Sequence, residues 1–193
     1  MVTTGAGTRR EQIVAAAAEL FSARGYHATS MQDIGQRVGL LKGSLYAHVA
    51  NKEELLLEIL STAARRFTAA LQPVVGSAEP PPVKLRLALR AHLRTTWELG
   101  PLARVFLLEA RHLQEEPAAW IEEARERYEA LWQRIFADGA TDGSFRRDLD
   151  IRLVVSLVLA AANWTPPEGV LGEPEAVSAF ADRLCDLLLD GYR

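Results

Sequence analysis

Residues 40–55 carry polar side chains of the kinds that contact a polyanion. The run LLKGSLYAHVANKEEL places Lys42, Ser44, Tyr46 and His48 among leucine, alanine and glycine. A lysine can meet a phosphate or a guanine edge, serine and histidine can donate or accept hydrogen bonds, and a tyrosine hydroxyl can reach a sugar-phosphate chain. These types at this spacing make the run a candidate contact surface for nucleic acid.

The elements that must position these side chains are helices. Apolar residues recur at spacings of three and four along the chain, and no segment sustains the alternation of a strand, so the sequence predicts an all-α protein. The proline-rich run at residues 73–83 predicts a loop, and the DGATDG run at residues 138–143 predicts a break between helices. The predicted helices are 8–23, 30–38, 41–49, 51–71, 84–99, 101–113, 117–138, 149–163 and 174–191.

The first three helices are short and closely spaced. Ser30 with Asp33 three residues on is a variant of the capping box, and Gly39 permits a sharp turn before the third helix. Two helices joined by such a turn form a helix-turn-helix, whose second helix lies in the DNA major groove. Lys52, at the start of the fourth helix, adds a further cation for phosphate. Periodicity alone leaves an alternative open, namely an exposed helix in an ordinary bundle.

The charge of the chain is uneven. Residues 1–52 hold six basic and three acidic side chains, which is +3, and the remainder holds 16 basic against 22 acidic, which is −6. A positive end on a negative body is expected if only the N-terminal part meets a polyanion. An uneven solvated surface explains the same numbers.

Residues 9–55, RREQIVAAAAELFSARGYHATSMQDIGQRVGLLKGSLYAHVANKEEL, resemble the DNA-binding domain of the tetracycline-repressor (TetR) family of transcriptional regulators. The resemblance implies an all-helical homodimer with a helix-turn-helix domain at residues 1–52. It also implies a ligand-binding and dimerisation domain at residues 53–193, where a small molecule acts to release a double-stranded operator. Matched position by position, it assigns operator contacts to Thr29, Ser30, Lys42, Gly43, Ser44, Tyr46, His48 and Lys52.

Three positions depart from the family pattern. Leu41 stands where a serine or threonine is usual, so the third helix lacks a side-chain cap, a loss of roughly 1 kcal/mol. Ala47 replaces a second aromatic residue, and Gly35 replaces an alanine, which adds backbone entropy to the second helix. These departures predict a softer recognition surface with fewer phosphate contacts.

Residues 150–164 are apolar on nearly every face, which predicts burial on two sides. One side can pack in the protomer and the other against a second copy, together with residues 176–192, as an isologous four-helix interface. A buried central helix in a monomer is the alternative. The predicted interface residues are Val154, Val158, Val177, Phe180, Leu184 and Leu188.

Aromatic residues concentrate in the C-terminal part, where an apolar pocket between helices could hold a small hydrophobic ligand. Residues 107–164 also loosely resemble the subgroup of TetR regulators that respond to fatty acids and acyl-CoA, although PPEG follows NWT here. That resemblance implies an acyl-CoA effector, with efflux regulation by another apolar compound as an alternative. The predicted ligand contacts are Trp97, Phe106, Arg111, Tyr128, Trp132, Asn163 and Trp164.

Other classes of protein find little support in the sequence. One cysteine, Cys185, excludes an internal disulfide framework, and the longest apolar run, 153–162, is too short to cross a bilayer. The first residues lack the apolar run of a signal peptide, so we predict a cytoplasmic protein without membrane association.

Glu109 and His112 have the spacing of a helical di-iron ligand pair but lack a second copy. We predict no metal, no cofactor and no enzymatic activity; a helical interaction protein and a small helical enzyme stay open as alternatives.

Overall fold

The computed structural model describes residues 8–109, 116–163 and 173–192, without the side chains of residues 108, 109, 116–118, 191 and 192. Within these residues the chain is helical throughout, which confirms the all-α prediction, and none of the helices there is long and apolar enough to cross a membrane. The helices are α1 Arg9–Arg24, α2 Met31–Arg37, α3 Lys42–Tyr46, α4 Lys52–Gly76, α5 Pro81–Leu99, α6 Pro101–Glu109, α7 Glu116–Asp142, α8 Ile151–Asn163 and α9 Pro174–Tyr192.

The chain divides into two compact units. The first comprises Met1–Ala63 and Leu99–Ile121, so it contains α1, α2, α3 and α6 together with the start of α4 and the start of α7. Its core is built from apolar residues of each of these helices, among them Phe21, Ile34 and Leu45, all at most 1% exposed. The short α2 and α3 are too small to be stable alone and depend on this packing.

The second unit comprises Ala64–Glu98 and Glu122–Arg193. Its core centres on Trp132 and Phe136 of α7, which are fully buried among apolar residues of α4, α5, α8 and α9. The division predicted at residue 52 separates functions, and it stays a prediction.

The predicted loop at residues 73–83 is wrong in extent. Helix α4 continues through Pro73 to Gly76, and α5 begins at Pro81. Pro73 removes one backbone donor, but Leu71 and Val75 on either side of it are 1% and 3% exposed, so burial holds this last turn helical. Pro81 is tolerated because the first helical position needs no N–H partner.

The predicted break at residue 138 is also wrong, because α7 continues to Asp142 and ends at Gly143, whose φ is +85°. Gly139 lies inside the helix, where a Cβ would stand 2.1 Å from the ring of Phe145. The glycine therefore makes room for an aromatic ring that is 2% exposed. The composition of the segment resembles a turn, but its glycine serves helix packing.

Candidate functional site

Helices α2 and α3 and their four-residue turn present the polar side chains that the sequence singled out. Ser30 and Asp33 form a complete capping box at the start of α2, as predicted, and Gly39 turns the chain at φ +67°. Helix α3 is shorter than predicted, because only Lys42–Tyr46 is helical. It is anchored by Leu45, which is 1% exposed, and its other side chains remain at the surface.

The exposed side of α3 borders a surface groove of about 820 Å³. Both ends of α2 contribute to this groove, together with the loop before α2. Five of the predicted operator contacts are exposed on α3 and the turn that follows it: Lys42, Gly43, Ser44, Tyr46 and His48. Ser30 is exposed at the start of α2 and lines the same groove. We call these six exposed residues the α3 face; Ser30, Lys42 and Tyr46 of this set line the groove.

Thr29 and Lys52 also line the groove, but their polar side-chain atoms are hydrogen-bonded within the protein. Thr29 is 1% exposed, and its hydroxyl donates to the carbonyl of Gly25 at 3.0 Å, so this hydroxyl is engaged within the protein. The Lys52 Nζ donates to the carbonyls of Tyr26 and Thr29, each at 2.8 Å, and burial lowers the pKa of this lysine. Two of its three N–H groups are thus occupied within the protein. Both residues hold the loop that leads into α2.

Arg10 is a positioning residue that the sequence analysis missed. Its guanidinium donates to Glu58 at 2.6 Å, to Glu54 at 2.6 Å and to the carbonyl of His48 at 2.5 Å. These bonds join α1 to α4 and to the turn after α3, and they hold the pKa of Glu54 below its usual range. The partners lie 38 to 48 residues away in sequence, so no local pattern indicates the contact.

A polar cluster lies in the core of the second unit, around His92 of α5. His92 is 3% exposed; its Nε2 donates to Asn163 Oδ1 at 3.0 Å, and its Nδ1 accepts from the Tyr128 hydroxyl at 2.8 Å. Phe67 stacks on the imidazole with ring centroids 5.0 Å apart. The fully buried Trp132 lies beside Tyr128, and its indole N–H makes no hydrogen bond of ordinary geometry there. We call these residues the His92 cluster.

Burial determines the protonation of this cluster. It lowers the pKa of His92 to about 4 and raises the pKa of Tyr128 above its ordinary value. Both side chains are therefore neutral at physiological pH, and the hydrogen bonds described above are those of the neutral imidazole. The structure brings together three predicted ligand contacts, Tyr128, Trp132 and Asn163, around a histidine that the prediction omitted.

The other predicted ligand contacts do not join the cluster. Trp97 is 42% exposed near the end of α5, and Phe106 packs against the core of the first unit. Arg111 and Trp164 lie outside the described residues, as does His112 of the predicted Glu-x-x-His pair. Among the described residues, histidine, cysteine and acidic side chains form no group that could hold a metal ion.

Three of the six predicted dimer contacts are buried in the protomer, so this part of the prediction needs correction. Val154, Val158 and Val177 are 6%, 0% and 2% exposed, because they fill the core of their own protomer. Neighbouring positions on α8 point outward instead, where Leu153 and Leu157 are 56% and 54% exposed. The other predicted contacts, on α9, are half-buried against the core: Phe180, Leu184 and Leu188.

Acid is expected to destabilise the protein through His92. Unfolded histidine binds a proton below about pH 6.5 and His92 only below about 4, so between these values the unfolded state holds more protons and stability falls with decreasing pH. From pH 7 to pH 5 the free energy of unfolding should drop by about 2 kcal/mol more in the wild type than in His92→Gln. Urea unfolding at both pH values measures this difference.

The control for this experiment is His48→Gln, which removes an exposed histidine and leaves the His92 cluster intact. It should unfold with the pH dependence of the wild type. Equal pH dependence in the wild type and His92→Gln would show that His92 takes up protons without unfolding.

Comparison with known proteins agrees with this architecture. Residues 13–59 match the family model of bacterial regulatory proteins of the tetR family, and residues 78–191 match the tetracyclin repressor-like C-terminal domain. The chain is 29% identical to the HTH-type transcriptional repressor KstR2 of Rhodococcus jostii, over 98% of this chain and 93% of the relative.

Solved structures are similar over the whole chain. The ketosteroid transcriptional regulator KstR2 of Mycobacterium tuberculosis has a TM-score of 0.86 at 26% identity, covering 100% of this chain and 98% of that one. AibR, solved in complex with isovaleryl coenzyme A and operator DNA, has a TM-score of 0.79 at 25% identity, covering 95% and 97%. Both family models together span most of the described helices, and this chain belongs to the TetR family of transcriptional regulators, not to a family of enzymes.

Proposed function

We propose that this protein is a cytoplasmic repressor that binds a pseudo-palindromic operator as a homodimer and leaves it when a small hydrophobic effector binds. The α3 face carries the proposal. It combines one cation, hydroxyl groups and an imidazole on a short helix whose only buried side chain is its anchor, Leu45. A short helix that is anchored by one buried residue and exposes its other side chains is the form in which helix-turn-helix proteins present their groove contacts.

The contacts divide by chemistry. Lys42 at the start of α3 is positioned for a phosphate or a guanine edge, and Ser44 and His48 for base edges or backbone oxygens. Tyr46, 43% exposed, offers its ring and hydroxyl to the sugar-phosphate chain. Arg10, Thr29 and Lys52 act indirectly, because their hydrogen bonds hold the segments on either side of α2 and α3.

Dimerisation would place two α3 faces on one operator. In the described residues eight large hydrophobic side chains are exposed, and three of them lie on α8 and α9: Leu153, Leu157 and Leu187. These two helices pack against each other, and we call their exposed leucines the α8–α9 area. We propose this α8–α9 area, with the half-buried Phe180 and Leu184 beside it, as the isologous interface.

For the effector we propose an acyl-CoA thioester. The structure of AibR with isovaleryl coenzyme A supports this class, since the two chains share their fold along nearly their whole length. The second unit offers an aromatic core for an acyl chain and, in the His92 cluster, polar groups that could orient a carbonyl. A ketosteroid derivative is the alternative apolar effector, because the similar protein KstR2 is a ketosteroid transcriptional regulator.

Titration of the purified protein with DNA from beside its own gene tests the proposal. We expect binding that weakens steeply with salt and is abolished by one class of thioester in a panel of increasing chain length. Binding that no thioester changes would leave the repressor and overturn the acyl-CoA effector. Absence of binding at low salt would favour a helical interaction protein without specific DNA recognition.

Lys42→Gln should weaken operator binding at every sequence to a similar degree. If each Lys42 of the dimer neutralises one phosphate, the slope of log K against log salt should become shallower by about 2 for the dimer. The measurement is a salt series of binding titrations with wild type and variant. Arg146→Gln, which removes one positive charge from the exposed Arg146–Asp148 pair in the second unit, should keep the wild-type slope. A slope unchanged by Lys42→Gln would remove Lys42 from the phosphate contacts.

A further inference from the structure

Leu41, the residue before α3, has an environment that neither folding nor solubility explains. It is 83% exposed, the highest value among the large hydrophobic side chains of the described residues. It occupies the N-cap of α3 without making a side-chain hydrogen bond. Serine, threonine, asparagine and aspartate stabilise this position relative to an apolar residue, because their side chains accept a hydrogen bond from the first turn. In the free protein a polar residue at position 41 would therefore favour both the stability of α3 and the solubility of the protein.

The surroundings of Leu41 identify what it can contact. Its side chain lines the groove beside Lys42 and Tyr46, so it belongs to the surface proposed to meet DNA. The neighbouring Leu40 is half-buried and packs against the core of the first unit, whereas Leu41 extends away from it. Within the first unit the described side chains therefore leave Leu41 largely uncovered.

A major groove displays one apolar group, the C5-methyl of thymine. The N-terminal residues of a recognition helix are those that reach base edges, and Leu41 directly precedes the first residue of α3. A leucine side chain has no hydrogen-bonding group, and packing on a methyl group requires none. The flanking Lys42 supplies the attraction to phosphate that brings the two groups together.

We propose that Leu41 reads a thymine in each operator half-site by packing on its C5-methyl group. This inference rests on the proposed function and specifies part of its sequence preference. The exposed leucine then contributes specificity for an A·T pair at one position of each half-site. In the DNA complex, and only there, this contact offsets the missing side-chain cap of α3.

Uracil substitution tests the contact directly, because deoxyuridine keeps the base pair and the phosphate and removes only the methyl group. Each thymine of the operator is replaced in turn, and both proteins are titrated with every duplex. For the wild type we expect one position per half-site at which affinity falls about threefold to tenfold. Leu41→Ala should bind the natural operator more weakly by a similar factor and should not respond to uracil at that position.

Two further variants make the outcome specific. Leu41→Met keeps an apolar chain of similar size and should stay sensitive to uracil at the same position. Val83→Ala shortens an exposed apolar side chain on α5 and should leave every titration unchanged. Thermal unfolding of all variants measures whether the fold is intact.

The outcomes separate this inference from the function it rests on. Salt-dependent operator binding without any uracil effect, or with equal effects in wild type and Leu41→Ala, would overturn the thymine contact and leave the repressor. Uracil sensitivity at one position that the wild type and Leu41→Met share and Leu41→Ala lacks would establish it. Loss of all operator binding by the wild type would overturn both.

Discussion

Leu157→Glu is expected to convert the protein into a monomer and to weaken operator binding about 100-fold or more. Leu157 is 54% exposed on α8, so the substitution leaves the protomer core intact. In an isologous interface the two copies would bring two glutamates together in an apolar area, and burying unpaired charges opposes association by several kcal/mol. A monomer presents one α3 face and loses the gain of binding two half-sites at once. Light scattering and operator titration measure the two effects.

Val83→Glu is the matched control, because it places the same charge on an exposed apolar position of α5 that is not one of the proposed interface residues. It should remain a dimer with wild-type affinity. A Leu157→Glu protein that stays dimeric would move the interface away from α8. A monomer that still binds the operator tightly would contradict the requirement for two α3 faces.

Gly139→Ala is expected to destabilise the protein by about 2 kcal/mol, although alanine favours a helix by about 1 kcal/mol over glycine. The added Cβ would meet the Phe145 ring at 2.1 Å, and Phe145 cannot retreat easily. Its backbone N–H donates to the Gly139 carbonyl at 2.9 Å, and its ring packs 5.4 Å from that of Phe136. Thermal unfolding should show a decrease of about 4 to 8 °C for a chain of this length.

Gly76→Ala is the matched control for this prediction. Gly76 ends α4, and a Cβ there would meet no atom within 4 Å. The same substitution should therefore leave stability within about 0.5 kcal/mol of the wild type or raise it slightly. A Gly139→Ala protein as stable as the wild type would show that Phe145 repacks freely.

The helix-turn-helix segment illustrates what local sequence specifies. The capping boxes at Thr8 and Ser30, the turn at Gly39 and the uncapped start of α3 depend on residues within four positions of one another. Such interactions are encoded in the order of neighbouring residues, and the resemblance of residues 9–55 to the TetR family adds the arrangement of the helices. The all-helical fold and the class of regulator were predictable on these grounds. The operator contacts and the effector stay predictions.

Helix ends showed where composition misleads. Proline and glycine at Pro73 and Gly139 are typical of loops, yet both lie inside helices because neighbouring residues are buried. The helices continue past these two residues because packing against other helices stabilises them. That packing cannot be inferred from the sequence of one segment.

By itself, the sequence determined the helical class, the helix-turn-helix and the family, since periodicity, caps and turns are properties of contiguous residues. Only the tertiary structure decided which apolar residues of α8 face the core, because adjacent positions on a helix differ by about 100° and both flanks are apolar. It also decided the roles of Arg10, Lys52 and His92, whose hydrogen-bond partners lie 48, 26 and 71 residues away. Such contacts form when distant helices pack together, and their geometry depends on that packing.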